Sequence, residues 1–349
     1  MLMLASPEER IPEDHPIRRI KKLADVALRE MSPLFDAMYE EGGRVSVPPE
    51  RLLKATLLMA LFSVRSERQF CEQLNYNLMF RWFLDMDMEE STFVPTVFTK
   101  NRERLLAHDV GARFLGEVVR QAKKARLMST EHFSVDGTLI DAWASMKSFR
   151  PKDEKKDDDN DGNGWGDFRG TKRSNDTHES KTDPDAKLMR KGNGQPAKLS
   201  FSANVLMENR SGLVVDMSVV AATGHAERDT ALAMLEKLGG TNRITVGADR
   251  GYDTADFVED CRGFGVSPHV AQHTNRRRSA VDQRTTRHAG YTVSQRIRRR
   301  IESIFGWMKT TGGFARTRVR GIARTQLAAQ FVGAAYNLLR LARALPEAA

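Results

Sequence analysis

The sequence predicts a two-part protein of the α/β class, in which an all-helical segment precedes a mixed domain of strands and helices. Two observations predict this order. Apolar residues recur at helical spacing through the first third of the chain, and none of those segments alternates like a strand. Further on, β-branched apolar runs alternate with helical segments. The 349 residues are enough for two domains of ordinary size, each with a buried core.

Capping and proline residues mark where helices of the first part begin. Asp14 is predicted to cap a helix that starts near Pro16, and Ser66 is predicted to cap a later one. Apolar residues at helical spacing continue to about residue 128. The sequence therefore predicts an all-helical domain over 1–128.

From residue 129 the pattern changes to alternating strands and helices. "HFSVDGTLIDAWAS" and "RITVGADRGY" read as apolar strands, and "SFSANVLMENRSGLVVDMSVVAA" reads as two strands around a turn. "HAERDTALAMLEKL" and "TADFVEDCRGFG" read as helices between them. The resulting order of β, β-β, α, β, α, β, α is typical of a mixed α/β domain, which we predict over 129–345.

A long charged segment, 147–198, is inserted after the first strand of this domain. Its middle has abundant charge of both signs and almost nothing to bury, so apolar burial cannot offset its ordering entropy and we expect a mobile loop. An acidic run within it matches a calcium-binding loop at Asp157, Asp159, Asp161 and Gly162. Phe168 stands where the bidentate glutamate is needed, so a solvated acidic loop is favoured over a calcium site.

The charge of the chain favours a polyanionic partner. The formal net charge is +9 and the pI is near 9.6. Over 276–324 arginine is strongly preferred to lysine, and a guanidinium suits bidentate contact with phosphate, so we expect nucleic acid. The longest apolar run, 56–64, is far shorter than the roughly 20 residues of a membrane span. No signal peptide opens the chain, and we expect a cytoplasmic protein without membrane contact.

The stretch "VDGTLID" resembles the nucleophile loop of a haloacid-dehalogenase-type phosphatase. Such a phosphatase attacks phosphorus with an aspartate two residues before Asp136, where this chain has Ser134. Asp249 and Asp253 match the phosphatase metal motif only weakly, because two aspartates near a strand end are common. The phosphatase interpretation therefore fails at its nucleophile.

Three carboxylates indicate a different chemistry. Asp136 and Asp249 each follow an apolar strand segment, where a carboxylate is desolvated unless it is paired or metal-bound. Glu302 lies on a predicted helix, on one face with Arg298 and Lys309. Taken singly, each aspartate also fits a turn or cap, and Glu302 fits an ion pair with Arg298. Together the three could hold two divalent cations about 3.5–4 Å apart, at the attacking and leaving oxygens of a phosphoryl transfer.

The order of these motifs resembles that of a known family. "DGT", "DRGY" and an R-x3-E-x6-K spacing match the DDE transposases of bacterial insertion sequences, nearest the insertion-sequence-five family. The residues at the pattern positions are Asp136, Asp249, Arg298, Glu302 and Lys309. "EDHPIRRI" near the start, the "STF" and "KNRERL" segments, and "RTRVRG" with "AAYNLLRL" near the end are similar too. The resemblance therefore covers nearly the whole chain.

The resemblance implies a ribonuclease-H-like catalytic core behind a helical DNA-binding domain. It implies Asp136, Asp249 and Glu302 as ligands of two Mg²⁺ ions, for which Mn²⁺ would substitute. Water and then a DNA 3′-hydroxyl would attack phosphorus in line, which would cut DNA at the ends of the element and join the 3′ ends to target DNA. The implied partners are these DNA ends, the target DNA and further copies of the chain, in the nucleoid.

Basic residues near the motifs are candidates for DNA contact. The resemblance implies that Arg298 and Lys309 hold the DNA backbone beside the scissile phosphate. Further candidates come from the arginine-rich segment and from a helix of the first part that also fits a solvated face. The complete set is Arg298, Lys309, Arg316, Arg318, Arg320, Lys100 and Arg102. Gln295 stands where the family has a tyrosine, three residues before Arg298, and it cannot stack or donate as a phenol does.

Two alternatives stay open at this point. His225 and Asp229, near a predicted helix start, fit either a catalytic role or a helix cap and a core histidine. The chain could also be a non-catalytic DNA-binding remnant or repressor, although all three acidic residues are present.

Overall fold

The computed structural model describes residues 7–38, 47–152, 173–238, 243–274 and 278–345. In the described portion before residue 125 the regular structure is helical, as predicted. These helices are α1 (Pro7–Arg10), α2 (Pro16–Glu30), α3 (Ser32–Met38), α4 (Pro49–Leu61), α5 (Glu67–Leu74), α6 (Leu78–Phe83), α7 (Thr96–Ala107) and α8 (Val110–Lys124). None of the helices in the described ranges combines the length and apolar character that crossing a membrane requires.

The helix caps agree only in part with the prediction. His15 is the N-cap of α2, and its ring nitrogen accepts a backbone hydrogen bond from the first turn. Asp14 stands one residue too early, because Pro16 already occupies the first helical position. Ser66 caps α5 as predicted, with its Oγ accepting from Gln69 N at 3.1 Å.

The second part alternates strands and helices. Its strands are β1 (His132–Asp141), β2 (Phe149–Pro151), β3 (His178–Ser180), β4 (Lys187–Met189), β5 (Lys198–Glu208), β6 (Val214–Ala221), β7 (Ile244–Ala248) and β8 (Val266–Val270). Its helices are α9 (Ala226–Glu236), α10 (Ala255–Gly263), α11 (Gln283–Thr286), α12 (Ala289–Ile297), α13 (Ile301–Lys309) and α14 (Ile322–Ala344).

One mixed sheet forms the centre of this second part. β6, β5, β1, β7 and β8 lie side by side in that order, and β4 pairs with the start of β5. β5 is antiparallel to both β1 and β6, whereas β1 with β7 and β7 with β8 are parallel. The parallel strands β7 and β8 are joined through α10, as a parallel connection requires. This sheet, flanked by helices, confirms the predicted α/β class with a ribonuclease-H-like core.

An apolar core joins the two parts of the chain. Helix α14 packs against α2, α4, α8 and β6. Its buried residues belong to the same apolar cluster as those of the N-terminal helices and β5. Phe114 on α8 and Phe331 on α14 pack with ring centroids 5.8 Å apart. The predicted boundary lies between α8 and β1, but because this core crosses it, the division into separate domains 1–128 and 129–345 stays a prediction.

The described ends of the segment 147–198 contain strands that the sequence did not predict. β2 and β3 form an antiparallel pair, and β4 pairs with β5. Phe149 and Asp183 are buried, and Asp183 accepts a hydrogen bond from Gly321 N at 3.2 Å. Burial and strand pairing stabilise these described ends, whereas the expectation of a mobile loop was based on the charged middle of the segment. The acidic run 157–162, and with it the calcium-loop alternative, lies outside the described residues.

The free edge of β6 is covered by amide side chains from α14. Asn337 is fully buried; its Oδ1 accepts from Val214 N at 2.8 Å and its Nδ2 donates to Val214 O at 2.7 Å. Gln326 donates to Met217 O at 2.7 Å and accepts from Val219 N. These side chains supply the hydrogen bonds that a neighbouring strand would otherwise provide at an edge.

Asn337→Ala is expected to lower the free energy of unfolding by roughly 2–4 kcal/mol, because it leaves the buried N–H and C=O of Val214 unpaired. Urea denaturation followed by circular dichroism measures the change. Arg343→Ala, at an exposed position near the end of the same helix, is the control and should cost less than about 0.5 kcal/mol. Equal losses in the two variants would contradict the role of the amide.

Candidate active site

Asp136 lies in β1 just beyond the part of that strand that pairs with β7. The parallel pairing with β7 ends at Ser134 and Gly247, whereas the pairing with β5 continues along most of β1. Asp136 is half-buried, and its Oδ1 accepts a hydrogen bond from Gly137 N at 2.8 Å. The strand therefore holds this carboxylate at the point where its neighbour β7 comes to an end.

Asp249 directly follows β7 and caps the short 3₁₀ turn Arg250–Tyr252. Its Oδ1 accepts from Gly251 N at 2.7 Å. A Cβ atom at residue 251 would lie 3.0 Å from that oxygen, so glycine lets the chain turn close to the carboxylate. Because β1 and β7 are parallel, Asp136 and Asp249 lie toward the same edge of the sheet, where ligands of α/β sheets bind.

The two aspartates interact electrostatically. Burial raises the pKa of Asp136 to about 7, and repulsion from Asp249 and Glu227 contributes to the rise. The positive charge of Arg298 opposes it. Like charges at such a site are relieved by a proton or by a cation. The donors are all carboxylate oxygens, which is the ligand type that hard divalent cations prefer, so the residues present fit Mg²⁺ or a similar ion.

Glu302 is not brought into this group. It is exposed in the first turn of α13, and it forms no ion pair with Arg298. A 3₁₀ turn at Arg298–Arg300 interrupts the helix that the sequence predicted as continuous. It rotates the following residues by roughly 60° relative to an unbroken α-helix. Among the described residues, no three His, Cys, Asp or Glu side chains converge closely enough to hold a metal ion, so the role of Glu302 stays a prediction.

A further carboxylate near Asp136 is that of Glu227, which is not among the residues predicted from the sequence. It lies in the first turn of α9, in the same "TGHAERDT" segment as His225 and Asp229. His225 is exposed, with its Nδ1 2.6 Å from Nη2 of Arg228, and Asp229 is exposed as well. Acidic residues are common in the first turn of a helix, so the position of Glu227 in the sequence is only a weak signal of a functional role.

Two of the predicted DNA-contact residues, Arg298 and Lys309, interact with residues of β1, the strand that carries Asp136. Arg298 acts on Asp136 through its charge, and its Nε donates to Gln295 Oε1 at 3.0 Å. Gln295 in turn donates to the main-chain carbonyl of His269 in β8. The residue that replaces the family tyrosine thus orients Arg298. Lys309 Nζ donates to Thr138 Oγ1 at 2.6 Å, two residues beyond Asp136 on β1.

The other predicted DNA-contact residues are more dispersed. Arg316 and Arg318 donate to main-chain carbonyls at 3.1 and 2.9 Å, and Arg102 forms an ion pair with a glutamate of α5. Arg320 and Lys100 are exposed. Three of these five side chains therefore already donate N–H groups to acceptors within the protein. Contact of the five residues with DNA stays a prediction.

Asp253, which a phosphatase would use together with Asp249, has a structural role. It is 2% exposed and accepts hydrogen bonds from His273 N at 2.7 Å, Ala280 N at 2.9 Å and Ser279 Oγ at 3.1 Å. Burial alone would raise the pKa of Asp253, but these hydrogen bonds outweigh burial and lower it. A carboxylate that is saturated with donors in this way is a fixed part of the fold.

A cleft of about 590 Å³ lies near the starts of β1, β7 and β8. No carboxylate is among the described residues that line it. Its basic side chains are Arg210, Arg243, Arg284, Arg300, His132, His269 and His288. Burial lowers the pKa of His269 to about 4, and Arg284 pairs with Asp282 at 2.7 Å. We call this feature the basic cleft; no single motif in the sequence indicates it, because its residues come from five separate stretches of the chain.

Two family models match the chain. The model "Transposase domain (DUF772)" matches residues 5–104, and the model "Transposase DDE domain" matches residues 168–338. The chain belongs to the DDE transposases. The second match includes Asp249 and Glu302 and begins beyond Asp136. The narrower assignment of this transposase to the insertion-sequence-five family stays a prediction.

Solved structures of other transposases are among those similar to this chain. The piggyBac transposase synaptic complex with hairpin DNA is 8% identical, covers 92% of this chain and 75% of that chain, and has a TM-score of 0.40. The pre-cleavage Mos1 transpososome is 11% identical, covers 97% of this chain and 100% of that chain, and has a TM-score of 0.21. Comparison with curated proteins gave no match.

Asp253→Asn is expected to lower the free energy of unfolding of the transposase by roughly 2–4 kcal/mol at pH 7, because buried donors lose their charged acceptor. The folded-state pKa of Asp253 is below its usual value, so this stabilisation is present above about pH 4. It is lost as the pH falls through the folded-state pKa. Urea denaturation in metal-free buffer from pH 7 to pH 3 measures the difference from wild type.

Asp249→Asn is the matched control for Asp253→Asn. It removes a charge that repels Asp136 and Glu227, so metal-free stability should stay the same or rise. If Asp249→Asn lowered the free energy of unfolding as much as Asp253→Asn does, the contrast between a structural Asp253 and a mutually repelling Asp249 would be wrong.

Proposed function

We propose that this transposase cuts DNA at the ends of its insertion sequence and joins the 3′ ends to target DNA, by phosphoryl transfer with two divalent cations. DNA transposition itself follows from membership of the family. The observation that supports this chemistry is the pair Asp136 and Asp249 toward one edge of the sheet, whose mutual repulsion a bound cation would relieve.

Asp136 and Asp249 are the proposed cation ligands, with Glu302 as the third ligand that the family motif implies. Mg²⁺ is the proposed ion and Mn²⁺ a substitute, because such ions prefer a few carboxylates together with phosphate oxygens. When bound, the ions activate the attacking oxygen and stabilise the leaving oxygen. Since Glu302 is exposed in the structure, it would join the aspartates only through a change of position when DNA binds.

Arg298 and Lys309 would hold the scissile strand. Arg298 is fixed through its Nε by Gln295, which leaves its terminal nitrogens for a phosphate oxygen. Lys309 lies beside Thr138 on the same strand as Asp136, and burial lowers the pKa of its ammonium group. Water and then a DNA 3′-hydroxyl would attack phosphorus in line, with no covalent link between enzyme and DNA.

A phosphatase is disfavoured by two observations. Ser134, at the position of the nucleophile, is fully buried and its Oγ donates to Asn209 Oδ1 at 2.7 Å. Asp253 is saturated with hydrogen bonds from the fold. A non-catalytic DNA-binding remnant would keep the basic surface, but it has no need of two aspartates whose repulsion destabilises the metal-free fold.

A supercoiled plasmid that carries the ends of the element tests the proposed chemistry. With Mg²⁺, wild type should nick the plasmid, and Asp249→Asn and Glu302→Gln should each nick it roughly 100-fold or more slowly, since several kcal/mol of transition-state stabilisation is lost. Glu236→Gln, at the exposed end of α9, is the control and should nick at the wild-type rate. Equal rates in all four proteins would exclude the assignment.

We propose that the basic cleft binds the phosphate backbone of the same DNA. Arg210, Arg243 and Arg300 are exposed there, and guanidinium groups bind phosphate in a bidentate manner. We also propose that the active form is a homo-oligomer on DNA, because joining both ends of an element requires two ends to be held at once.

Arg210→Ala combined with Arg243→Ala is expected to weaken DNA binding and to reduce the slope of log affinity against log salt by about 2, because two phosphate contacts are lost. Fluorescence anisotropy across a salt series measures both quantities. Lys237→Ala combined with Arg343→Ala removes the same charge from exposed positions outside the cleft. An identical change of slope in the two double variants would show that net charge, and not the basic cleft, determines the affinity for DNA.

A further inference from the structure

A tryptophan just beyond the end of β1 is held at the surface of the protein. Trp143 stands two residues after Asp141, the last residue of β1, and its side chain is 49% exposed. Its neighbours Ala142 and Ala144 are buried, so the backbone is packed into the protein here while the indole faces outward. Tryptophan usually buries most of its large apolar surface, so an indole held outward in this way is available to a partner.

The backbone before Trp143 is fixed on both sides. Ala142 N donates a hydrogen bond to Leu199 O of β5 at 2.8 Å. On the other side of the chain, Asp141 N donates to Ala315 O at 3.1 Å. These bonds tie the end of β1 both to the central sheet and to the segment between α13 and α14. The position of the indole is therefore set by the fold before any partner binds.

Arg316 covers part of the Trp143 ring. Its guanidinium carbon lies over the ring, 5.4 Å from the centroid, which is a cation–π contact. Arg316 Nε also donates to Ala142 O at 3.1 Å, so the main chain holds the guanidinium next to the ring that it covers. Because half of the Trp143 side chain is nevertheless exposed, the rest of the ring is open to a planar ligand.

The charge around Trp143 favours a polyanion. The described chain over 142–152 contains three exposed cationic residues and no acidic residue. These residues are Lys147, Arg150 and Lys152. The carboxylate of Asp141, just before this stretch, is paired with Lys198 at 2.8 Å. DNA satisfies both features of the surface, because its phosphates are negative and its planar bases stack on aromatic rings.

We propose that Trp143 binds an unpaired nucleobase of the DNA on which the transposase acts, by stacking it on the open part of the indole. The base is unpaired because a base within a duplex is already stacked on its neighbours. This inference rests on the proposed function, since it assigns a base-binding residue at the end of the strand that carries Asp136. Trp143 lies seven residues beyond Asp136, which is roughly 20 Å along an extended chain. The stacked base would therefore belong to a nucleotide several positions away from the phosphate at the acidic pair.

Binding of single-stranded DNA by the full-length protein tests the proposal. Fluorescence anisotropy with labelled oligothymidylate, in buffer without divalent cations, should show roughly tenfold weaker binding for Trp143→Ala than for wild type, because base–aromatic stacking is lost. Trp143→Phe keeps an aromatic face and should stay close to wild type. Phe264→Ala is the matched control, because it removes an aromatic side chain of similar exposure, 45%, just before the start of β8. It should bind as wild type does.

An abasic chain of the same length separates stacking from charge. It keeps the phosphates and lacks the bases, so wild type and Trp143→Ala should bind it equally. The slope of log affinity for oligothymidylate against log salt should also be the same in both proteins, because no phosphate contact is removed. The proposal would be overturned if wild type did not bind oligothymidylate, if Trp143→Ala bound it equally well, or if Trp143→Ala lost the same affinity for both chains.

Indole fluorescence gives a second readout that does not depend on the folding of Trp143→Ala. A base stacked on Trp143 should quench its emission, so oligothymidylate should quench wild type more than Trp143→Phe when both are saturated. Equal quenching in the two proteins would contradict stacking at this residue. If Trp143→Ala changed the sedimentation of the protein and left its affinity for oligothymidylate unchanged, the indole would belong to a contact between copies of the chain and the proposal would be wrong.

The outcomes also separate this inference from the proposed function. Wild type that nicks the plasmid, with Trp143→Ala equal to it in affinity for oligothymidylate, would exclude only the stacking. Binding that depends on Trp143, in a wild-type protein that does not nick, would exclude only the proposed chemistry. Weaker binding of oligothymidylate by Trp143→Ala, with equal binding of the abasic chain, is the result expected.

Discussion

β1 and β7 pair as parallel strands, and the register of this pairing determines where the acidic pair lies. The last paired residues are Ser134 and Gly247, and Asp136 and Asp249 each stand two residues beyond them. A Cβ atom at residue 247 would lie 3.0 Å from the Ser134 hydroxyl and 3.3 Å from Cβ of Arg298, so the close approach of strand and helix here requires a small residue. A shift of register would separate the carboxylates and turn side chains to the opposite face.

The repulsion between these carboxylates is tolerated because the rest of the sheet is held firmly. β1 pairs on its other side with β5, which is buried along almost its whole length. The far edge beyond β5 is closed by β6 and then by the amides of Asn337 and Gln326 on α14. Since α14 also packs on the N-terminal helices, the same helix joins the two parts of the chain and covers the sheet that carries the site. The stability lost at the acidic pair is thus offset by packing elsewhere.

Basic residues occur in the structure with three different uses. Arg298 lies near Asp136, where its positive charge partly compensates the carboxylate, and Lys309 donates to Thr138 further along the same strand. Arg316 and Arg318 bind main-chain carbonyls and fix the segment between α13 and α14. The basic cleft gathers a third group at the opposite end of the strands. The arginine-rich composition that indicated DNA therefore reflects structural contacts as well as a surface for a polyanion.

Patterns within a few residues were enough to predict much of this protein. Apolar periodicity identified the helices of the first part and the strands of the core, and Asp136 and Asp249 could be selected because each interrupts an apolar strand pattern. The order of the motifs indicated the DDE transposases, and the matches to two transposase family models confirm that family. Local signals succeed in these cases because backbone conformation and side-chain period depend on neighbours along the chain.

Only the tertiary structure decided the contacts between distant segments. The proximity of Glu227 to Asp136 depends on how α9 crosses the sheet at Gly137. The 3₁₀ turn before α13 and the hydrogen bond from Gln295 to β8 likewise arise from packing, and no periodic pattern in the sequence indicates them. The core shared across the predicted domain boundary has the same origin. Apolar residues far apart in the chain bury one another wherever the fold brings them together, and no local pattern records which ones meet.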